Sequence, residues 1–154
     1  MIVRLYVPAD VDALIDLFRQ AVRRIAIRDY SEAQVRAWAP DVADRQSWVE
    51  RRASRPTWVA EIDGRVAGFT DLEPDGHLDM MYVHPDHQGQ GVARALLAQV
   101  EEAAAAQKLA RLFTEASITA RPFFEKKGFR LITPQTVHVR GQDLVNYRME
   151  KFLR

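Results

Sequence analysis

The stretch Asp79-Met80-Met81-Tyr82-Val83-His84-Pro85-Asp86-His87-Gln88-Gly89-Gln90-Gly91-Val92-Ala93-Arg94 runs from an apolar strand, through a turn with two glycines, into the start of a helix. Pro85 ends the strand by withdrawing a backbone donor. The helix beyond is marked by Val92, Ala95, Leu96, Val100 and Ala103, apolar at helical spacing and fading near Gln107-Lys108. A helix N-terminus leaves its first N–H groups without internal partners and carries a partial positive charge, so it attracts phosphate oxygens. Gly89 and Gly91 permit positive φ and let an anion approach the main chain with no Cβ in the way. Each charge-assisted hydrogen bond of this kind contributes about 1.5–3 kcal/mol, so three or four suffice for a pyrophosphate. Two other phosphate-binding glycine patterns fail. The Walker pattern needs Lys-Ser/Thr after its last glycine, and Gly91 is followed by Val92-Ala93. The dinucleotide fingerprint G-x-G-x-x-G/A needs a small residue where this chain has Arg94.

Upstream of that stretch the chain reads as a β-meander: Trp58–Ile62, a type I′ turn at Asp63-Gly64, Arg65–Glu73, a turn at Pro74-Asp75-Gly76, and His77–Val83. Downstream, Arg111–Ala116 is a buried strand. Thr119–Lys127 is a helix with Pro122 in its first turn and Gly128 as its C-cap. Two last strands, Phe129–Val139 and Leu144–Phe152, are joined around Gly141-Gln142-Asp143. At the start, Ile2–Val7 is a strand stopped by Pro8. Val11, Leu14, Ile15, Phe18, Val22 and Ile25 then mark one helix face behind Asp10 as N-cap, with Arg19, Arg23, Arg24 and Arg28 on a solvated face. Ser31-Glu32 opens a short helix through Val35 and Trp38 to Pro40, and Asp44 caps another carrying Trp48 and Val49.

This order predicts one α+β domain over residues 1–154. Its sheet is mixed, mostly antiparallel and six- to seven-stranded, with helices on its faces. His77–Val83 and Arg111–Ala116 form its one parallel pair, joined by the long helix. Where such a pair splays, it leaves a slot lined by unpaired backbone groups.

Composition limits the function. The 154 residues are 47% hydrophobic and 28% charged, as in a globular domain able to bury a core without staples. Lys+Arg is 22 against Asp+Glu 21, a net charge of +1, which gives no electrostatic case for nucleic acid or an anionic membrane. Cysteine is absent, so there is no thiolate nucleophile, disulfide or Cys-ligated zinc. With no signal-peptide pattern and no run of roughly 18 apolar residues, a cytoplasmic protein is expected. His84 and His87 have a spacing that suits a metal, but a loop beside an anion-binding turn is a poor place for one, and no metal is expected.

Gln88-x-x-Gly91-x-Ala93, after a strand ending Val83-x-Pro85, resembles the acetyl-CoA signature (Arg/Gln-x-x-Gly-x-Gly/Ala) of the GCN5-related N-acetyltransferases, the GNAT family. Ser117-Ile118-Thr119-Ala120-Arg121-Pro122-Phe123-Phe124-Glu125-Lys126-Lys127-Gly128-Phe129 resembles the family's later block, Asn-x-x-Ala-x-x-Leu-Tyr-Glu-Lys-x-Gly-Phe. The element order matches over nearly the whole chain. Tyr30-Ser31, Trp38-Ala39-Pro40 and Gln135-Thr136…Arg140-Gly141…Asn146 are similar to the YafP-like group of small bacterial members.

The resemblance implies acetyl-CoA as cosubstrate, bound in the splayed slot. The amides of Gln88, Gly89, Gln90, Gly91, Val92, Ala93 and Arg94 would hold its pyrophosphate. The backbone of Met81, Tyr82 and Val83 would pair with its pantetheine arm, one N–H polarising the thioester carbonyl, with Ser117 and Phe124 alongside. It implies transfer of acetyl directly to a primary amine in a ternary complex, consistent with the missing cysteine. Period 2 along the strand places His77, Asp79, Met81 and Val83 on one face, and His77 and Asp79 align with positions where members carry the base. The family's acid, a tyrosine, is here Phe124. Ser117, standing for the usual asparagine, or Tyr147 would replace it, unless a thiolate of pKa about 8.5 leaves unaided. Tyr30 and Trp38 are expected on the acceptor side, where the helices after the first strand cover the site in this family. The expected partner is an amine-bearing small molecule or peptide, and the last strands offer an edge for a homodimer. The alternative is a non-catalytic acyl-CoA-binding or sensor module with the same fold.

Overall fold

A computed structural model describes residues 1–153. The chain runs β1 (Ile2–Leu5), α1 (Val11–Arg24), α2 (Glu32–Trp38), α3 (Arg45–Ala53), β2 (Thr57–Ile62), β3 (Arg65–Asp71), β4 (Met81–Val83), α4 (Val92–Ala106), β5 (Arg111–Ser117), α5 (Arg121–Lys126), β6 (Arg130–Val139) and β7 (Gln142–Phe152). The caps are mostly those the sequence offers. Ser31 and Gln34 form a reciprocal capping box on α2, and Asp44 accepts the Ser47 amide of α3. Asp10 differs: its carboxylate turns back to the Val7 amide at 2.9 Å and to Arg4, pinning β1 to α1 without capping the helix. The arginine face of α1 is also less solvated than its spacing suggests. Arg23 donates to the Ala39 carbonyl and pairs with Asp41, and Arg24 pairs with Asp86.

The strands form two antiparallel sheets, β1-β2-β3-β4 and β5-β7-β6. They touch where His77 bridges Phe113 in parallel, with Leu78 N–H donating to Phe113 O at 2.9 Å and Phe113 N–H to Gly76 O at 3.1 Å. Gly76, at φ 95°, lies so close to β5 that a Cβ would run into the Arg111 carbonyl. Beyond this hinge β4 and β5 form no ladder, and the predicted parallel pair splays apart.

The expected strand His77–Val83 is regular over Met81–Val83 alone. The cause is Asp71 at the end of β3. Its Oδ1 accepts both the Asp79 and the Met80 amide, at 2.8 and 3.1 Å, which kinks the chain there. The alternation therefore slips. Leu78, Met81 and Val83 all pack into the core under α4, whereas Met80 and Tyr82 pack under α1. The common face predicted for His77, Asp79, Met81 and Val83 does not form.

Two apolar layers hold the sheets. On one side Leu96, Val100 and Ala104 of α4 meet Ala60, Ala67, Leu112 and Met149. On the other, Leu14 and Leu17 of α1 meet Val59 and Phe69. Each fully buried side chain of this size contributes about 1.5–3 kcal/mol. The β6–β7 connection is tighter than the three residues expected: Arg140 (φ 43°) and Gly141 (φ 85°) make a two-residue turn between Val139 and Gln142.

Candidate active site

The gap between β4 and β5 is a cavity of about 660 Å³. Its upper rim is the Gln88–Arg94 turn. Gly89 and Gly91 adopt φ 75° and 80°, with open space where a Cβ would stand. Among the described residues, no main-chain amide from Gln88 to Arg94 donates to a protein acceptor. The first bond of the helix is Ala95 N–H to Gly91 O, at 3.0 Å. Gln88, Gly89 and Gly91, with Val92, Ala93 and Arg94, border the cavity. Gln90 does not; its Oε1 meets His87 Nδ1 at 3.2 Å.

One side wall is β4. His84 N–H donates to Ala67 O at 2.8 Å. In an antiparallel ladder this makes Tyr82 the residue bonded to Phe69 and turns the main chain of Met81 and Val83 toward the slot. The Gln88 side chain donates to Val83 O at 3.2 Å, tying the turn to that edge. Opposite, Ser117 and Phe124 line the cavity. Ser117 Oγ accepts the Ala120 amide at 3.0 Å, so its own hydroxyl proton remains to donate. Phe124, 4% exposed, packs edge-on against Phe129 and Phe123 at 5.0 and 5.3 Å.

Asp79 borders the cavity, with Oδ2 3.1 Å from Arg55 Nη1. It belongs to a partly buried ionic knot. Arg52 Nη1 lies 2.9 Å from Asp71 Oδ2, both side chains fully buried, and Arg55 reaches Asp79 and Glu73. Burial pushes the Asp71 carboxyl up, while Arg52 and the two accepted amides pull it back. His77 lies outside the cavity lining, stacked on Phe113 with a carboxylate on each nitrogen: Glu73 on Nδ1 and Glu115 on Nε2, both at 2.7 Å. Glu115 first, then Glu73, raise its pKa to about 9 against the opposing effect of burial. Both nitrogens are then donors at neutral pH, and neither can accept a proton. Glu73, His77 and Asp79 bring ligand atoms within 4.8 Å of one another, but the Arg55 guanidinium already lies 3.0 Å from Glu73 and 3.1 Å from Asp79.

Tyr147 is also absent from the lining. Its ring packs under the Arg121 guanidinium at 4.5 Å and against the α4 core, because it alternates with Asn146, which does line the cavity. Tyr30 and Trp38 both border the cavity, their rings edge-on at 5.4 Å. The Tyr30 hydroxyl donates to Val145 O and accepts the Ile118 amide at 2.9 Å, so it closes the far end of the slot. Burial pushes its phenol up, which keeps it neutral. Sequence reasoning passed over Asp71, Arg52 and Arg55, and quoted Asn146 for the resemblance without giving it a place in the site. Asp71, charged within the apolar run Phe69-Thr70-Asp71-Leu72, carried a usable signal; Arg52 and Arg55, in an arginine-rich helix end, carried none.

The comparisons agree with this geometry. A family model described as Acetyltransferase (GNAT) domain matches residues 26–151. The uncharacterized N-acetyltransferase YafP of Escherichia coli (strain K12) is 36% identical over 147 residues, 96% of this chain and 93% of that protein. A crystal structure of a GCN5-related N-acetyltransferase from Rhodopseudomonas palustris superposes with TM-score 0.94 at 34% identity, covering 98% of this chain and 94% of that one. The structure of yncA, a putative acetyltransferase from Salmonella typhimurium with its cofactor acetyl-CoA, shares the fold at TM-score 0.74 and 21% identity, covering 100% and 94%. The fold and the slot define an acyltransferase. The chain belongs to the GNAT acetyltransferase family. No helix among the described residues is long and apolar enough to cross a membrane.

Proposed function

We propose that the chain moves an acetyl group from acetyl-CoA to a primary amine by direct attack in a ternary complex. One observation carries the reading: a row of amides without protein acceptors at residues 88–94, continuous with the slot-facing main chain of Met81 and Val83. Those groups suit a diphosphate followed by an amide-bearing arm, which is what acetyl-CoA would present, and the fold neighbour crystallised with acetyl-CoA supports the fit. When bound, acetyl-CoA supplies the activated acetyl thioester. In this reading the turn amides hold the diphosphate, the main chain of Met81 and Val83 aligns the arm, and one of those N–H groups polarises the carbonyl. Phe124 packs against the arm. The Ser117 hydroxyl is the donor available to the departing sulfur.

An aliphatic amine of pKa about 10 arrives protonated and must lose a proton before it attacks. Asp79, open to the cavity and oriented by Arg55, is the carboxylate that meets it. His77, with both nitrogens committed, is assigned to holding the closed end of the β4–β5 hinge. Tyr30 and Trp38 wall the acceptor side.

The test has two parts. Acetyl-CoA should raise the melting temperature of the purified protein, and a panel of primary amines should release free thiol. No shift at millimolar acetyl-CoA overturns the reading. A shift with no thiol release across the panel favours a second reading, an acyl-CoA-binding module without turnover, which Phe124 at the usual tyrosine position supports.

A further inference from the structure

Trp38 lines a second cavity, of about 240 Å³, which the proposed reaction leaves unused. Its walls are of two kinds. Phe18, Trp38 and Trp48 supply rings, Phe18 and Trp48 edge-on at 5.2 Å. Arg19, Arg51, Arg52 and Arg140, from α1, α3 and the β6–β7 turn, supply cations. The acidic lining residue is Asp44, whose carboxylate is engaged in capping α3 through Ser47 N–H at 3.2 Å. The nearby carboxylates are taken as well: Asp41 by Arg23 at 2.7 Å and Asp12 by Arg45 at 2.9 Å.

The arginines keep donors to spare. Arg51 makes no ion pair or side-chain hydrogen bond among the described residues, and Arg19 reaches no further than the Pro40 carbonyl at 3.3 Å. Arg140 is held at φ 43° by its two-residue turn and spends Nη1 on the Ala37 carbonyl at 2.7 Å. Arg52, fully buried, lies 2.9 Å from Asp71 Oδ2 through Nη1 and 4.0 Å from Asp79 Oδ2 through Nη2, and none of its three nitrogens makes a well-aligned hydrogen bond among the described residues. Arginines and aromatic rings lining one hole match a planar anion with an apolar body beside it. The volume is below the roughly 300 Å³ at which pockets for drug-sized ligands begin, so it suits one end of a small molecule.

We propose that this pocket receives the carboxylate of the acceptor, so that the substrate is an amino acid with an apolar or aromatic side chain. The proposal rests on the transferase reading above. The two cavities share Trp38 as a wall, and Arg52 of the arginine pocket lies 4.0 Å through Nη2 from Oδ2 of Asp79, which meets the amine and lines the slot. An α-amino acid separates its carboxylate from its nitrogen by a single carbon, which suits sites so close together.

Thiol release at saturating acetyl-CoA, with L-tryptophan against tryptamine and L-phenylalanine against phenethylamine, tests it. The amino acid of each pair should show a kcat/KM at least about tenfold higher, the contribution of one charge-assisted hydrogen bond. Arg51→Gln and Arg140→Gln should narrow that ratio, and Arg51→Lys should restore part of it. By titration calorimetry, 3-indolepropionate, which has the acid and lacks the amine, should bind the wild type and lose affinity with either Gln variant. Turnover of both partners at equal rates overturns the carboxylate pocket and leaves the transferase reading standing. A matching aminophosphonate preferred over the carboxylate also overturns it. Absence of both acetyl-CoA stabilisation and thiol release brings down the transferase reading, and this proposal with it.

Discussion

The two ends of the β4 segment are built on opposite plans. At its exit, the Gln88–Arg94 turn is made from consecutive residues, exposed from Gln88 to Gly91, and has main-chain amides without protein partners. At its entrance, Asp71, Arg52, Arg55 and Asp79 converge from three separate parts of the chain, and Asp71 and Arg52 are fully buried against each other. The first region leaves its hydrogen-bonding capacity unspent within the protein, as the proposed diphosphate site requires. The second uses its capacity to bend the strand, so that a slot exists for the ligand to enter. Binding capacity is therefore inexpensive to lose at the turn, while the shape of the slot depends on the knot.

Substitutions should separate the two regions by what they damage. Asp71→Ala should have the largest effect. It strands the Arg52 charge in the core and releases the Asp79 and Met80 amides, so urea denaturation should show a loss of about 3–5 kcal/mol. Asp71→Asn, which keeps an acceptor for those amides, should lose less. A loss under about 1 kcal/mol for Asp71→Ala would mean that the knot does not shape the strand.

Gly91→Glu should produce the converse. At an acetyl-CoA concentration a hundredfold above its Kd, the wild type should gain about 2.7 kcal/mol of stability, and the variant none of it. The unliganded fold should give up about 1–2 kcal/mol, the penalty of a side chain at φ 80°. Thermal melts with and without acetyl-CoA read both quantities.

Asp79→Asn lies between the regions, because Asp79 belongs to the knot and faces the slot. The expected result is a kcat/KM for the amine lowered roughly tenfold to a hundredfold with acetyl-CoA affinity retained, by steady-state kinetics alongside calorimetry. Equal losses in both would make it purely structural.

The most gradual effect is the pH dependence of the hinge. The His77 pKa is raised from 6.5 to about 9 by Glu115 and Glu73, so the folded protein holds this proton more tightly than the unfolded chain. Its stabilisation is complete below pH 6.5 and disappears as pH rises through about 9. Melting temperature should therefore fall across that window, and His77→Gln should flatten that part of the profile. A wild-type curve flat from pH 6.5 to 9 would show the pair of carboxylates to be ineffective.

Legibility follows the same division. Gln88-x-x-Gly91-x-Ala93, the Pro122 and Gly128 signals around α5, and the start of α2 at Ser31 were readable because each is a property of neighbouring residues. The strand His77–Val83 was read as regular because nothing local shows that Asp71, eight residues before Asp79, takes two of its amides. His77 was read as a base from its alignment with the family's base positions, and its pairing with Glu115, 38 positions away, was not visible in the sequence. Tyr147 and Asn146 are adjacent in sequence, and the register of β7 on β5 decides that Asn146 faces the cavity.

By itself, then, the sequence determined the element order, the glycine turn that opens α4 and the family. These rest on backbone stereochemistry and short-range hydrogen bonding, which act over a few residues. The tertiary structure alone decided where β4 kinks, which carboxylate faces the slot, and that arginines from three elements share one pocket. Those features depend on burial and on charges brought together from distant positions, and such energies are undefined until the chain has folded.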